Sequence, residues 1–229
     1  MRGGYRLPAT GYRLTLVLVL LLVPSVARAD WLSDLKGNAW LHYELSAVHD
    51  VDSEQHPREL ILAGARLHGI AGGKWFGYHA ALDLAAGSTL RGGGLAYDVA
   101  LFPAGVALRL GKSSFLAFGA GIGAMGAVGQ LDDALTFPLD VTFELDGGPV
   151  RLVSRGRASY VAAARGREGG ARFADELEGM AGIRIGRRYT RFARNGQGYF
   201  AGVAYREMLG ERFVGAVIGY SIDVGSPNR

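Results

Sequence analysis

The sequence predicts an all-β protein: a single closed antiparallel transmembrane β-barrel of about ten strands, with eight or twelve strands left open. Three observations favour this fold. Apolar and ionisable residues alternate along pairable segments, and the connecting segments alternate between long and short. In addition, no apolar run after residue 29 reaches the roughly 20 residues of a membrane-spanning helix. Because only helices and closed barrels satisfy their backbone hydrogen bonds in lipid, a barrel is the remaining way to cross a membrane.

The clearest alternation lies in the segments Thr136–Asp146 and Pro149–Ala162. Successive side chains of a strand point to opposite faces of the sheet, so a hairpin closing at Gly147-Gly148 sorts these residues into two sets. One face would carry charged pairs of opposite sign: Glu144 with Arg151, and Asp140 with Arg155. The other face would carry apolar pairs: Phe143 with Leu152, and Leu145 with Val150. An apolar face backed by a charged face is typical of a barrel with lipid outside and a polar lumen inside.

Two further hairpins predict the same sorting. Pairing Ile70 with Trp75 places apolar residues on one face and Arg66 beside His79 on the other. In the last hairpin, Val203 would oppose Ile218 and Ala201 would oppose Tyr220. The ten predicted strands are Asn38–Val48, Arg58–Ile70, Trp75–Ala86, Leu95–Leu110, Phe115–Val128, Thr136–Asp146, Pro149–Ala162, Leu177–Arg188, Gly198–Met208 and Arg212–Val224. Pro103 has no N–H for the ladder, so we expect a bulge or a strand end there.

The N-terminus predicts export. Arg2, Arg6 and Arg13 form a positive region before an apolar run, Leu14–Val23, and Ala27-Arg28-Ala29 resembles a cleavage site. This is the pattern of a secretory signal peptide that is cleaved after Ala29. The predicted organisation is therefore a signal peptide at 1–29, a barrel at 30–224 and a short tail at 225–229.

Charge and cysteine content exclude several classes of function. Loss of the leader removes four arginines and leaves 21 basic and 21 acidic side chains, so the net charge of +4 belongs to the leader. A nucleic-acid-binding protein would need a basic stripe, and we expect no nucleic-acid partner. The absence of cysteine excludes disulfides and thiolate metal sites.

The final strand carries a resemblance to a known group of proteins. Gly219-Tyr-Ser-Ile222-Asp-Val224 resembles the C-terminal assembly signal of the small outer-membrane β-barrel superfamily of Gram-negative bacteria. The similarity in pattern covers the whole chain after the leader. It implies an outer-membrane location, with outer-membrane lipid and the barrel-assembly machinery as partners.

The strand patterns also predict an ionisable lumen with six arginines and five carboxylates. The predicted lumenal charge network is Glu44, Arg66, His79, Asp83, Asp140, Glu144, Arg151, Arg155, Arg157, Arg184 and Arg206, with His42, His68 and Asp98 on the same face. Balanced charge in a narrow barrel favours a plugged interior and a structural, anchoring or surface role. A narrow, porin-like channel for small polar or ionic solutes is the alternative, and its solute is not predicted.

A lipid-modifying outer-membrane hydrolase is the second alternative. Such an enzyme needs a serine and a histidine that are oriented by a carboxylate, and Ser46 would share a face with His42 and Glu44. Residues two apart on a strand are roughly 6.5–7 Å apart, too far for a direct hydrogen bond. The glycine pattern from Gly121 to Gly126 lies inside a strand, not at the start of a helix as a dinucleotide site requires. We therefore expect no catalytic residues, no cofactor and no metal, including at His68, His79 and Asp83.

Overall fold

The structure, a computed structural model, describes residues 37–51, 59–72, 75–89, 95–110, 114–128, 132–147, 149–165, 176–186, 197–208 and 211–225. Within these residues the chain forms one closed barrel of ten antiparallel strands. Each strand pairs with its neighbours in sequence, and the first pairs with the last to close the sheet. The described residues contain no helix long and apolar enough to cross a membrane.

The ten strands confirm the predicted fold class and the preferred strand number. Their bounds are β1 Gly37–Asp50, β2 Glu59–Gly72, β3 Phe76–Thr89, β4 Leu95–Arg109, β5 Phe115–Val128, β6 Asp132–Asp146, β7 Val150–Arg165, β8 Glu176–Gly186, β9 Gln197–Met208 and β10 Glu211–Gly225. The predicted signal peptide lies outside the described residues. Most of the residues of the long connections and of the predicted tail also lie outside them. β4 continues past Pro103 through a bulge, since its register to β5 shifts between Leu101 and Ala104.

The predicted register of the β6–β7 hairpin is wrong by two positions, since each β6 residue pairs two residues further along β7 than predicted. Glu144 is opposite Val153 and Asp140 is opposite Arg157, whereas Arg151 is opposite Asp146. Proline cannot donate to the ladder, so Pro149 does not form the pair that the predicted register required of it. The turn instead lies one position further along, where the Gly147 amide donates to the Val150 carbonyl at 3.0 Å.

The other two predicted registers are also wrong, by four positions in β2–β3 and by two positions in β9–β10. In β2–β3, Arg66 is opposite Asp83 and not His79, because both strands extend towards a turn that begins at Gly72. Gly72 has a φ of 139°, which favours glycine, and it pairs with Gly77, so the turn lies further along the chain than the predicted one. In β9–β10, Ala201 is opposite Ile218, and Val203 is opposite Ala216. Every shift preserves the face on which each side chain lies.

Burial identifies the inner and outer faces of the wall. On β6, Leu139 and Leu145 are 48% and 47% exposed, whereas Asp140 and Glu144 between them are 3% and 1% exposed. Ile183 on β8 repeats this outer pattern at 49% exposure. An apolar belt on the outside of a closed sheet requires lipid contact, because water would not solvate it favourably. The charged side chains are therefore in the lumen.

The β8–β9 contact shows how closely the wall is packed. Gly182 is opposite Gly202, and both face the lumen beside Phe200. A Cβ on Gly182 would lie 2.3 Å from the Ala201 carbonyl oxygen and 2.8 Å from the Phe200 ring. Glycine at position 182 therefore leaves room for the Phe200 ring beside the wall.

Candidate functional site: the charged lumen

A buried apolar cluster lies in the lumen at the end of the barrel where β1 begins. It consists of Trp40, Ile70, Ala107, Phe115 and Ala117, all at most 5% exposed. The rings of Trp40 and Phe115 stack with centroids 5.6 Å apart. These side chains come from four strands and meet inside the barrel, so they form a lower seal.

A second apolar layer lies at the opposite end, where β1 ends and β2 begins. This upper seal is a buried cluster formed by Val48, Leu60, Leu62, Ala96, Met125, Ala134, Val161 and Phe213. Every residue of the cluster is at most 5% exposed. Each end of the described lumen therefore contains a buried apolar cluster, and the charge network around Arg66 and Glu178 lies between the two.

Glu178 is the centre of the charge network nearest the upper seal. Its carboxylate accepts from Arg155 at 3.1 Å, from Arg157 at 2.8 Å and from Arg206 at 3.0 Å. Asp98 receives both Arg157 and Arg206, the latter at 3.1 Å. Arg155 also reaches across the lumen to Glu44 at 3.1 Å. Three guanidinium groups and three carboxylates thus balance one another locally.

Arg66 connects opposite walls in the middle of the lumen. It donates to Asp83 and to Asp140, each with a shortest distance of 2.7 Å, and to the Thr142 hydroxyl at 3.0 Å. Its guanidinium carbon lies 5.9 Å from the centroid of the Phe102 ring. Because Arg66 is only 3% exposed, these partners replace the water that its charge would otherwise need.

A third charge group lies towards the lower seal. Arg184 forms a two-point contact with Glu144 at 3.0 and 3.3 Å. Arg151 lies 3.7 Å from Glu144 and 3.4 Å from Asp146. The charge pairing predicted between Glu144 and Arg151 therefore exists, although the two residues are not directly opposite each other.

Three histidines lie between this group and the lower seal. The Nε2 atoms of His42 and His68 are 2.7 Å apart, and His42 Nδ1 lies 2.6 Å from the Ser221 hydroxyl. His68 stacks on Trp40 with centroids 5.0 Å apart and meets His79 edge to face at 6.0 Å. His42, His68, His79 and Ser221 are at most 6% exposed.

The structure places the predicted charge network on the inner face of the wall. Its members are buried or half-buried there: Glu44, Arg66, His79, Asp83, Asp140, Glu144, Arg151, Arg155, Arg157, Arg184 and Arg206. Two predicted pairings are not formed. Arg66 faces Asp83 in place of His79, and Arg155 contacts Glu44 and Glu178 while Asp140 binds Arg66.

Sequence reasoning missed Glu178, Thr142 and Ser221. Glu178 has the same parity on β8 as Arg184, which was predicted to be lumenal, so the alternation could have identified it. Ser221 contacts a residue 179 positions away, and no local pattern indicates that contact.

Small cavities lie among these side chains in the described part of the barrel. A cavity of about 50 Å³ lies among the Glu178 group, and cavities of about 20 and 10 Å³ lie beside Arg184 and Glu176. A single water needs roughly 10–15 Å³ of such volume, so these spaces hold a few waters at most.

No protein-family model matches the sequence, and a search of curated proteins found no match. Among solved structures, the chain is similar to the β domain of the Bordetella autotransporter BrkA, with a TM-score of 0.46 and 11% identity over 82% of this chain and 98% of that chain. The translocator domain of autotransporter NalP from Neisseria meningitidis has a TM-score of 0.44 and 11% identity, over 93% of this chain and 99% of that chain. We draw no functional conclusion from likeness at this level.

The architecture follows from the chain's own structure. Ten antiparallel strands close on themselves, the outer face is an apolar belt, and the inner face carries paired charges. Such a wall is stable only where lipid surrounds it, because the exposed leucines and isoleucines need an apolar environment. The chain therefore has the architecture of a ten-stranded transmembrane β-barrel.

Proposed function

We propose that this protein is a structural or anchoring barrel of the outer membrane, with a surface role and a lumen closed to solutes. The observation that supports the proposal is the position of a locally neutralised charge network between two buried apolar clusters. A pore needs hydrated, accessible charges, whereas an apolar constriction resists wetting. Two such constrictions in series favour a plug.

The ion pairs in the lumen also support the proposal that the lumen is closed to solutes. Each lumenal arginine that contacts Glu178 also contacts a second carboxylate, and Arg66 contacts two. Buried charges need this degree of pairing, because an unpaired ion costs several kcal/mol to remove from water. A network that satisfies its own charges leaves few sites for a permeating ion.

We further propose that the protein is exported with a signal peptide cleaved after Ala29. Outer-membrane lipid and the barrel-assembly machinery would then be its partners. The argument is the leader's own pattern, an arginine-flanked apolar run followed by Ala27-Arg28-Ala29. Mass spectrometry of protein extracted from outer-membrane fractions should give a mature N-terminus at Asp30. Retention of Met1 would contradict this part of the proposal.

The proposal includes no catalysis. Ser221 and His42 form the closest serine–histidine contact in the described lumen, at 2.6 Å. Both are almost fully buried, and Ser221 is 1% exposed. A lipid acyl chain in the surrounding membrane would meet the opposite face of the wall, so this pair is poorly placed for a lipid hydrolase.

Conductance in planar lipid bilayers tests the proposal. The refolded protein should insert without ion-conducting steps, and so should the control Tyr199→Ala, which removes a 73% exposed aromatic from the outer face. Steady conductance by the wild type, with an ion selectivity that Arg157→Glu alters, would establish the narrow channel instead. Altered lipid mass spectra in cells that express the protein would establish the hydrolase.

A further inference from the structure

We propose that His42, His68 and Glu144 form a binding site for one divalent transition-metal ion, with Zn²⁺ as the best match. One ligand atom from each residue lies within 4.8 Å of the others. All three residues are buried, at 6%, 2% and 1% exposure. Two imidazole nitrogens and a carboxylate oxygen are a common ligand set for Zn²⁺, with the fourth position open to water.

The two histidines are aimed at each other. Their ring centroids are 4.8 Å apart, but their Nε2 atoms are only 2.7 Å apart, and the rings are tilted by 28°. The nitrogens therefore face one another edge to edge. Zn–N bonds of about 2.0–2.1 Å require the two nitrogens to separate by roughly 0.6 Å, which a small rotation of either ring allows.

Hydrogen-bond chemistry defines the protonation of the metal-free pair. The guanidinium of Arg184 only donates, and its Nη2 lies 3.2 Å from His42 Nδ1, so that nitrogen accepts. His42 then carries its proton on Nε2 and donates it to His68 Nε2. His68 must carry its own proton on Nδ1, which is buried and has no hydrogen-bond partner among the described residues. His68 is thus already in the tautomer that leaves Nε2 free for a metal.

Binding needs a proton shift within His42 and the loss of its contact with Arg184 Nη2, because two donors cannot bond to each other. The proton moves from Nε2 to Nδ1, and no proton leaves the protein. The Nδ1–H can then donate to the Ser221 oxygen, which lies 2.6 Å away. A ligating histidine usually donates its other ring N–H to such a partner, which holds the ring in place. Ser221 would therefore be a positioning residue for the site.

Arg184 opposes the metal and limits its affinity. It contacts both Glu144 oxygens and His42 Nδ1, so a bound cation would lie close to its charge. The carboxylate can keep the Arg184 Nη1 contact at 3.0 Å through one oxygen and offer the other to the ion. A cavity of about 20 Å³ lined by these residues has room for one water as a further ligand. Mg²⁺ and Ca²⁺ prefer oxygen ligands and should not bind at this site.

Refolding in the presence of zinc tests the proposal, because the ion must enter before the lumen closes. Protein without an affinity tag, refolded over a series of buffered free Zn²⁺ concentrations, should retain one Zn²⁺ by elemental analysis after gel filtration. Refolding with MgCl₂ at the same concentrations should leave no bound Mg²⁺. His68→Gln and Glu144→Gln should each weaken binding at least tenfold, and Ser221→Ala should weaken it by about 10–100-fold. The matched control is His79→Gln, a buried histidine of the same layer that lies outside the ligand set and should leave the affinity unchanged.

Arg184→Gln distinguishes a ligand site from a merely structural cluster. Loss of its charge should tighten Zn²⁺ binding, whereas a role in stability alone predicts no gain for any variant. Heat-modifiable migration on gels must first show that each variant is folded, and the affinity is compared only among folded samples. No zinc binding by the folded wild type would overturn the proposal, as would equal binding by wild type and His68→Gln. Either outcome leaves the closed-lumen proposal standing, since that depends on conductance.

Discussion

Replacing Glu178 by glutamine should be the most damaging conservative change in the lumen. The substitution preserves the size of the side chain and removes only its charge. That charge is shared by Arg155, Arg157 and Arg206 at 2.8–3.1 Å. The Glu178 side chain is 12% exposed, so solvent screens it only weakly.

The expected cost follows from the partners that remain. Removing one member of a buried ion pair costs about 3–5 kcal/mol when the other charge is left uncompensated. Here Arg155 keeps Glu44 at 3.1 Å, and the other two arginines keep Asp98. We therefore expect a loss near the lower limit, about 3 kcal/mol in the free energy of unfolding.

Urea unfolding of the barrel in lipid vesicles measures this loss. The control is Glu207→Gln on β9, whose carboxylate accepts a long 3.5 Å contact from the Tyr205 hydroxyl. It should change stability by no more than about 0.5 kcal/mol. Adding Arg206→Gln to the Glu178 variant should cost less than the sum of the two single changes, because the pair is coupled. Equal midpoints for Glu178→Gln and Glu207→Gln would refute the view that the lumen is a sealed, poorly hydrated network.

Two further predictions follow. Ile183→Arg should lower the free energy of unfolding in vesicles by about 2–4 kcal/mol if the residue lies at the bilayer midplane. The adjacent Gly182→Ala should lower it by about 1–3 kcal/mol through overpacking, since the new Cβ would lie 2.3 Å from a backbone oxygen. A dependence on bilayer thickness for both variants would contradict the assignment of an outer and an inner face. Arg155→Glu should reduce the heat-resistant folded band on gels, because the new carboxylate would face Glu178. Adding Asp140→Arg should not restore that band, because Asp140 binds Arg66 and not Arg155. Rescue by Asp140→Arg would favour the predicted register, in which Asp140 is opposite Arg155.

The sequence determined which face each side chain occupies. The three hairpin registers shifted by two or four positions in total, and none of these shifts moved a residue to the other face. The reason is physical: a slip of one position would exchange every apolar and charged side chain of a strand, at a prohibitive cost. Alternation alone was therefore sufficient for the barrel, its lipid face and its lumenal charges.

The sequence did not determine which residues are opposite one another. A slip of two positions preserves both faces, so the conformational preferences of individual turn residues decide among the allowed registers. Pro149 lacks the N–H that the predicted hairpin needed, and Gly72, with a φ of 139°, pairs with Gly77 although the prediction placed it within the turn. These backbone preferences act at single residues near the turns, where the alternation of apolar and charged residues gives no information.

Only the closed barrel brought the candidate sites together. Arg66 and Asp140 are 74 positions apart, and His42 is 142 positions from Arg184 and 179 from Ser221. These contacts cross the lumen or the seam between the first and last strands, so they depend on strand number, stagger and closure. Period-two alternation is a property of neighbouring residues and is readable in the sequence, whereas a contact across the lumen exists only after the whole sheet has closed.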